Sequence, residues 1–350
     1  MRVFSTFTGI GGFEVGIQNA YRNAHRTIKT DSEANQRQGL LATKRQEASS
    51  SQRLSGECDN NIFNERPLFV GYSEIDRYAC SVYERHFPGV KNYGDITTIN
   101  AGELPDFDLL VGGFPCQAFS IAGQRKGFQD TRGTLFFDLA RILQAKQPRY
   151  FIFENVKGLL SHDNGQTFKT IIEATSELGY DCQWQVLNSK DFGVPQNRER
   201  VFIVGHLRGQ ARPEVFPIRS TNSETIRELT SGVRETKRIY SGDGLSPTLN
   251  TMQGGQRQPK IVSKTIRVGG LKNPHGSKQN WDSYLVDGRI RRLTPLECER
   301  LQGFPDNWTQ YGRDGETISD TQRYKMCGNA VTTNVVAAIF ARLAITKGTE

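Results

Sequence analysis

The sequence predicts an α/β fold, Rossmann-like in its mostly parallel sheet, with a smaller, irregular β-rich unit late in the chain. Three observations predict it. Short apolar runs alternate with amphipathic stretches through residues 1–205, the pattern of βαβ units. A glycine-rich turn, Phe7-Thr8-Gly9-Ile10-Gly11-Gly12, follows the first run, where open parallel sheets receive nucleotide-like ligands. Beyond residue 205 the composition shifts to Gly, Pro, Thr and Arg with short strand-like pieces.

The elements follow in order. Residues 3–7 read as a buried strand, and Phe13, Ile17, Ala20 and Tyr21 as the inner face of a helix. Residues 68–72 form a second strand, and Tyr78, Val82 and Phe87 place a second helix that Pro88-Gly89 ends. A third strand is expected to close at Asp95, a fourth runs over 107–111, and a helix spans 135–146 before Pro148. Strands at 150–153 and 201–204 enclose a helix at 168–178. Residues 294–301 should be helical, with Thr294 as N-cap and Pro295 in the first turn. A last apolar helix covers 331–343. Residues 23–67 are polar, with few aliphatics, and read as an insertion. The expected division is a main domain at 1–205 with that insertion, a small domain at 206–291, and a return to the main domain at 292–350.

Composition narrows the function classes. No apolar run approaches the ~20 residues of a bilayer span, and residues 1–7 lack the apolar stretch of a leader. An intracellular, cytoplasmic and nucleoid-associated protein without membrane partners is expected. The six cysteines include no Cys-x-x-Cys pair, so no metal site and no disulfide framework are expected. Net charge is +8, but residues 206–292 hold 16 Lys and Arg against 7 Asp and Glu, a net +9. That segment fits a polyanion-binding surface or a merely solvated basic face.

Candidate chemistry lies at the strand ends. Glycines let the 7–12 turn approach a ligand closely at a helix N-terminus. Glu74, after the second strand, is placed to accept from ribose hydroxyls or to sit at a helix N-terminus. Asp95, taken alone, reads first as a turn aspartate, and otherwise as an acceptor for an adenine amine. Cys116 follows Pro115 on a strand-end loop, poorly placed for core packing and suited to a nucleophilic thiolate. Glu154 directly follows four apolar residues; partial burial would raise its pKa and suit it to proton donation. A loop-bracing acid is the plainer alternative. Arg198 and Arg200, two apart, should share one strand face and hold a carbonyl, a phosphate or Glu154.

With these residues in place, the chain resembles the DNA cytosine-5 methyltransferases of bacterial and phage restriction-modification type. The motifs that carry the resemblance span nearly the whole chain in order: the glycine turn, Ser73-Glu74-Ile75-Asp76, Gly94-Asp95-Ile96, and Gly113-Phe114-Pro115-Cys116-Gln117. Thr131-Arg132-Gly133-Thr134-Leu135-Phe136, Glu154-Asn155-Val156, Gln196-x-Arg198-x-Arg200, Arg292-Leu293-Thr294-Pro295 and Gly328-Asn329-Ala330-Val331 complete the set. The insertion is longer than the short link of the family.

The resemblance implies an S-adenosylmethionine-dependent methyltransferase fold and transfer of a methyl group to carbon 5 of cytosine in a short double-stranded DNA sequence. It implies a covalent Cys116 adduct on a flipped-out base, with Glu154, Arg198 and Arg200 completing the catalytic set. Cofactor contacts fall on Phe7, Gly9, Gly11, Glu74, Ile75, Asp95, Ile96, Pro115, Leu135 and Asn329. DNA contacts fall on Gln117, Ser120, Arg132, Thr248, Leu249 and Arg257, with residues 117–131 as a closing loop and 206–291 as the target-recognition domain. A monomer is expected, beside which a restriction endonuclease acting on the same site, without stable binding, is an open question. The alternatives are an RNA cytosine methyltransferase on the same framework and a catalytically inactive DNA-binding subunit.

Overall fold

The computed structural model describes residues 1–26, 66–115, 135–210, 212–219, 239–241, 246–249, 260–264 and 288–344. Cys116, Gln117, Ser120, Arg132 and Arg257, the 117–131 loop and most of the 23–67 insertion lie outside them.

The main sheet is built from β1 (Arg2–Thr6), β2 (Leu68–Ser73), β3 (Leu109–Gly113), β4 (Tyr150–Val156), β5 (Tyr180–Asn188) and β7 (Glu199–Leu207), in the order β2-β1-β3-β4-β7-β5. The pairs among β2, β1, β3 and β4 are parallel. The β7 strand runs antiparallel to both β4 and β5. Side chains alternate between two buried faces, as a strand period of two requires. Phe4, Leu110, Phe151 and Phe153 enter one core with Leu139, Ile142 and Leu143 of α3 (Leu135–Lys146) and Ile171 of α4 (Gln166–Glu177). Val3, Leu109, Val111 and Ile152 enter the other, with Phe13 and Ile17 of α1 (residues 12–26) and Val336, Ile339 and Phe340 of α7 (Thr333–Ala344).

The close approach of α1 to α7 depends on Gly16. A Cβ there would lie 2.6 Å from Val336 Cβ and 2.7 Å from the Thr333 carbonyl. Gly16→Ala is therefore expected to destabilise the fold by about 1–3 kcal/mol through overpacking. A denaturation midpoint equal to wild type would refute this packing account.

A third cluster joins α2 (Arg77–His86) to the chain's return: Tyr72, Val82, Tyr83 and Phe87 meet Phe304, Ile318 and Met326. The return supplies α5 (Pro295–Leu301) and α6 (Asp320–Asn329) before α7. Thr294 caps α5 in a full capping box with Glu297 and Pro295 at the helix start. An 18-residue window within Asp320–Ala344 has a mean hydropathy of 1.2, yet 67% of that window is buried inside the molecule. A smaller three-stranded sheet, β8 (Ile239–Ser241), β10 (Lys260–Lys264) and β11 (Gly288–Arg292), has the order β11-β10-β8. The short strands β6 (Gln196–Asn197) and β9 (Ser246–Pro247) pair in parallel.

Three expectations are corrected, and two elements are added. No strand closes at Asp95: residues near it make a single bridge, Tyr72 with Asn92, and Asp95 instead caps a 3-10 turn at Ile96–Thr98. Polar Lys91 and Asn92 give that stretch little to bury. Phe7 lies past β1, at φ 50, already in the turn. Glu154 stands two residues inside β4 rather than at its end. The strand β5 and the helix α6 were not foreseen. The first is a sheet edge with polar and half-exposed residues, and the second buries only Met326, Cys327 and Gly328, so neither shows a clear apolar period.

Candidate active site

A parallel sheet of order 2-1-3-4 reverses its winding between β1 and β3, and ligands bind outside the carboxyl ends of strands at such a point. A cavity of about 560 Å³ opens there. The glycine turn after β1 contributes Phe7, Thr8 and Gly9, Glu74 and Asp76 come from beyond β2, and Pro115 from beyond β3. Glu154, Arg198 and Arg200 line the same space, as do Thr248, Leu249 and Asn329.

The turn is shaped for close approach. Gly9 has φ +56, and a Cβ there would meet nothing within 4 Å, so its face toward the cavity is open. Gly11, at φ +86, serves packing instead: a Cβ would come within 2.7 Å of Phe87. The Glu74 carboxylate spans the mouth of the turn. Its Oε2 accepts from the Gly9 amide at 2.8 Å and its Oε1 from the amides of Ile75 and Asp76, each at 2.8 Å. Oε2, with a single donor, retains a lone pair for a further one. Asp76 caps α2 and pairs with Lys325 of α6 at 2.5 Å. Burial alone would raise its carboxyl pKa, but Lys325 and the amides of Ala79 and Tyr78 hold it below the usual value.

The acid and the arginines occupy the opposite wall. Glu154 and Arg200 are 13% and 16% exposed and form an ion pair, Arg200 Nε to Glu154 Oε1, at 2.9 Å. The contact is not aligned as a hydrogen bond, and Glu154 Oε1 has no hydrogen-bond partner among the described residues. Glu154 Oε2 faces Gly113, where a Cβ would stand 3.0 Å away. Asn155, the next residue, donates to the Phe114 carbonyl at 2.9 Å and so braces the chain just before Pro115. Arg198 is 2% exposed. Burial, and then the charge of Arg200, push its guanidinium down to about 9.

Other expected residues stand apart from the cavity wall. Ile96 and Leu135 pack on the main core, Ile75 is exposed, and Asp95 turns its carboxylate to the Thr97 amide and hydroxyl. Sequence reasoning missed the wall residues Phe13, Ala79 and Met326. Phe13 read only as a helix-core position, Ala79 is a small residue within the second helix with no signal of its own, and Met326 lies in the unforeseen α6. Among the described residues, no group of three or more His, Cys, Asp or Glu is placed to hold a metal.

Directly below the turn, Glu14 of α1 is fully buried and accepts from the Tyr83 hydroxyl at 3.2 Å. Burial raises its carboxyl to about 7 from 4.5. Between those two values the fold holds a proton that the unfolded chain has lost. Its stabilising contribution is therefore complete below pH 4.5 and fades as pH rises through about 7. Glu14→Gln should flatten this part of the stability profile, a change of roughly up to 3 kcal/mol between pH 5 and 8. Urea midpoints of both proteins across that range would test it; parallel profiles would refute it.

The sheet, the switch-point cavity and the glycine turn define an α/β fold with a ligand site at its topological switch point. Residues 68–344 match the family model of C-5 cytosine-specific DNA methylase. The chain belongs to that family and is a DNA cytosine-5 methyltransferase. Among its relatives, Type II methyltransferase M.NgoBI of Neisseria gonorrhoeae is 40% identical, over 76% of this chain and 83% of that protein. Type II methyltransferase M.HhaI of Haemophilus parahaemolyticus is 37% identical, over 76% and 84%. Orphan methyltransferase M.SPRI of Bacillus phage SPR is 33% identical, over 78% and 91%. The crystal structure of S. pombe Dnmt2 methyltransferase shares the fold, with a TM-score of 0.61 at 16% identity over 97% of each chain.

Proposed function

We propose that this enzyme methylates carbon 5 of cytosine in a specific short double-stranded DNA sequence, using S-adenosylmethionine, through a covalent Cys116 adduct on a flipped-out base. The observation that carries this reading is the placement of the Glu154–Arg200 ion pair in the same cavity as Gly9 and Glu74.

The residues fit the cofactor. The open face of Gly9 admits a ligand against the backbone, and Glu74 offers a carboxylate to hydroxyl donors at the turn's edge. Phe7, Pro115 and Asn329 would enclose it, with Gly11 setting the turn and Ile75, Asp95, Ile96 and Leu135 as outer contacts. When bound, S-adenosylmethionine supplies an electrophilic methyl group.

The chain's own residues do the rest. Inside the stack, carbon 6 is inaccessible, so the base must leave the duplex at a cost of a few kcal/mol. The Cys116 thiolate forms a bond to carbon 6. The Glu154 carboxyl, whose Oε1 is free of hydrogen bonds among the described residues, donates a proton to N3 and accepts from the exocyclic amine, and so steadies negative charge developing in the ring. Arg200 holds that carboxylate and, with Arg198, faces the base carbonyl. Once carbon 5 is methylated, its proton is lost to a base, the bond to sulfur breaks, and the thiolate is restored. Residues 206–291 act as the recognition domain on the main body of 1–205 and 292–350. Gln117, Ser120, Arg132, Thr248, Leu249 and Arg257 are the candidate DNA contacts, and any restriction endonuclease reading the same site would be a companion rather than a bound partner.

Bisulfite sequencing of a plasmid expressing the chain maps the methylated site. A duplex with 5-fluorocytosine at that site is expected to give a denaturation-resistant adduct with the wild type and none with Cys116→Ser. Undiminished trapping by Cys116→Ser would overturn the covalent route. No methylation of DNA, against methylation of tRNA tested beside it, would overturn the substrate.

A further inference from the structure

The Arg198 guanidinium lies at a three-way junction of the chain. Its Nη1 donates to the Leu249 carbonyl at 3.0 Å, and its Nη2 to the carbonyls of Gly328 at 3.2 Å and Ala330 at 3.0 Å. Leu249 belongs to the proposed recognition segment, and residues 328–330 form the cavity wall around Asn329. The Arg198 backbone is fixed as well: its amide donates to Asn188 Oδ1 at 3.1 Å, and its carbonyl accepts from the Ser189 amide at 3.0 Å.

Residues 246–249 are seated on the adjoining residues 195–197 by further bonds. The Ser246 amide donates to the Pro195 carbonyl at 2.7 Å, and Thr248 Oγ1 to the Asn197 carbonyl at 2.7 Å. The Leu249 amide donates to Gln196 Oε1 at 3.3 Å. Gln196 in turn donates to the Leu301 carbonyl at 2.8 Å. A buried cation held by neutral carbonyls depends on each of them, because a lost acceptor leaves charge unsatisfied in a dry setting. A shift of either segment is therefore felt by the other.

Resting on the reading above, we infer that Arg198 is a coupling residue, a positioning group that ties residues 246–249 to residues 328–330. Through it, DNA on the recognition segment and cofactor in the cavity each tighten the binding of the other. Linkage makes the effect reciprocal: the factor by which DNA strengthens cofactor binding equals the factor by which cofactor strengthens DNA binding.

The test uses the full-length enzyme, S-adenosylhomocysteine as probe, and a duplex carrying the site mapped by bisulfite sequencing. Titration calorimetry measures the Kd of the probe with and without saturating duplex, and the Kd of the duplex with and without probe. The wild type is expected to show the same coupling factor in both directions, about tenfold or more. In Arg198→Lys, whose ammonium reaches the carbonyls as a point donor rather than a fork, it should fall below about threefold. Arg198→Met should abolish it, and if that variant fails to fold, the lysine variant carries the test. Gln196→Met, which loosens the recognition segment without touching the guanidinium, should lower the factor in part. A merely structural role would weaken each ligand separately and leave the factor unchanged. An unchanged factor in folded Arg198→Lys, or no coupling in the wild type, overturns the inference. Failure of the wild type to methylate any duplex would instead overturn the functional reading.

Discussion

Glu154→Gln is expected to slow methyl transfer by about 10²–10⁴-fold, the range of a positioned acid–base group, while S-adenosylhomocysteine binds as before. Glutamine keeps the shape of the side chain and its place in β4, so the fold is not at issue. It loses the charge that Arg200 Nε meets at 2.9 Å and the carboxylate through which a proton or ring charge can be handled. The pair is mostly shielded from water, so its field acts on a bound base with little screening. Single-turnover rates at saturating DNA separate this loss from any change in binding. A Glu154→Gln enzyme with wild-type single-turnover rate would remove Glu154 from the chemistry.

The second large effect concerns stability. Glu299 of α5 is fully buried and pairs with Arg323 of α6, itself 11% exposed, at 2.9 Å. Glu299 Oε1 also accepts from the Thr309 amide at 2.9 Å and from the Thr309 hydroxyl. Glu299→Ala removes all three bonds and leaves Arg323 with Asp320 at 3.8 Å as its remaining ion-pair partner among the described residues. Breaking a buried pair from one side costs about 3–5 kcal/mol. Replacing both partners by methionine should recover most of that loss, since the expense lies in the abandoned charge rather than in the missing attraction. Denaturant midpoints at constant m measure both variants. A Glu299→Ala midpoint within experimental error of wild type would overturn the account. Because α6 leads into residues 328–330, weaker cofactor binding should accompany the instability.

Much of the site was legible before any coordinates. The glycine turn, Glu74 and the two arginines sit at or beside strand ends, and Glu154 two residues inside one, where local rules operate: apolar runs stop, glycines permit left-handed backbone, and polar residues follow abruptly. Phe7, Gly9, Glu74, Pro115, Glu154, Arg198, Arg200, Thr248, Leu249 and Asn329 do converge on one cavity. The helix predicted over 135–146 ends at Lys146 in sequence and structure alike, because its apolar face and the following Pro148 are both local signals. The edge strand β5 was illegible for the opposite reason. One side of an edge is solvated, so its residues need not be apolar, and its pairing with β7 is made by backbone groups that every residue carries.

The sequence by itself determined the alternation of strands and helices, the glycine turn that lines the cavity, and the candidate side chains for the chemistry. Each of these is written within a few neighbouring residues. Only the tertiary structure decided who meets whom. It gave Glu154 to Arg200, turned Arg198 toward carbonyls 51, 130 and 132 residues away, and set Glu299 beside Arg323. Such partners depend on which strands lie side by side and on how the chain returns over its first strand, and no local pattern encodes a distance of that kind.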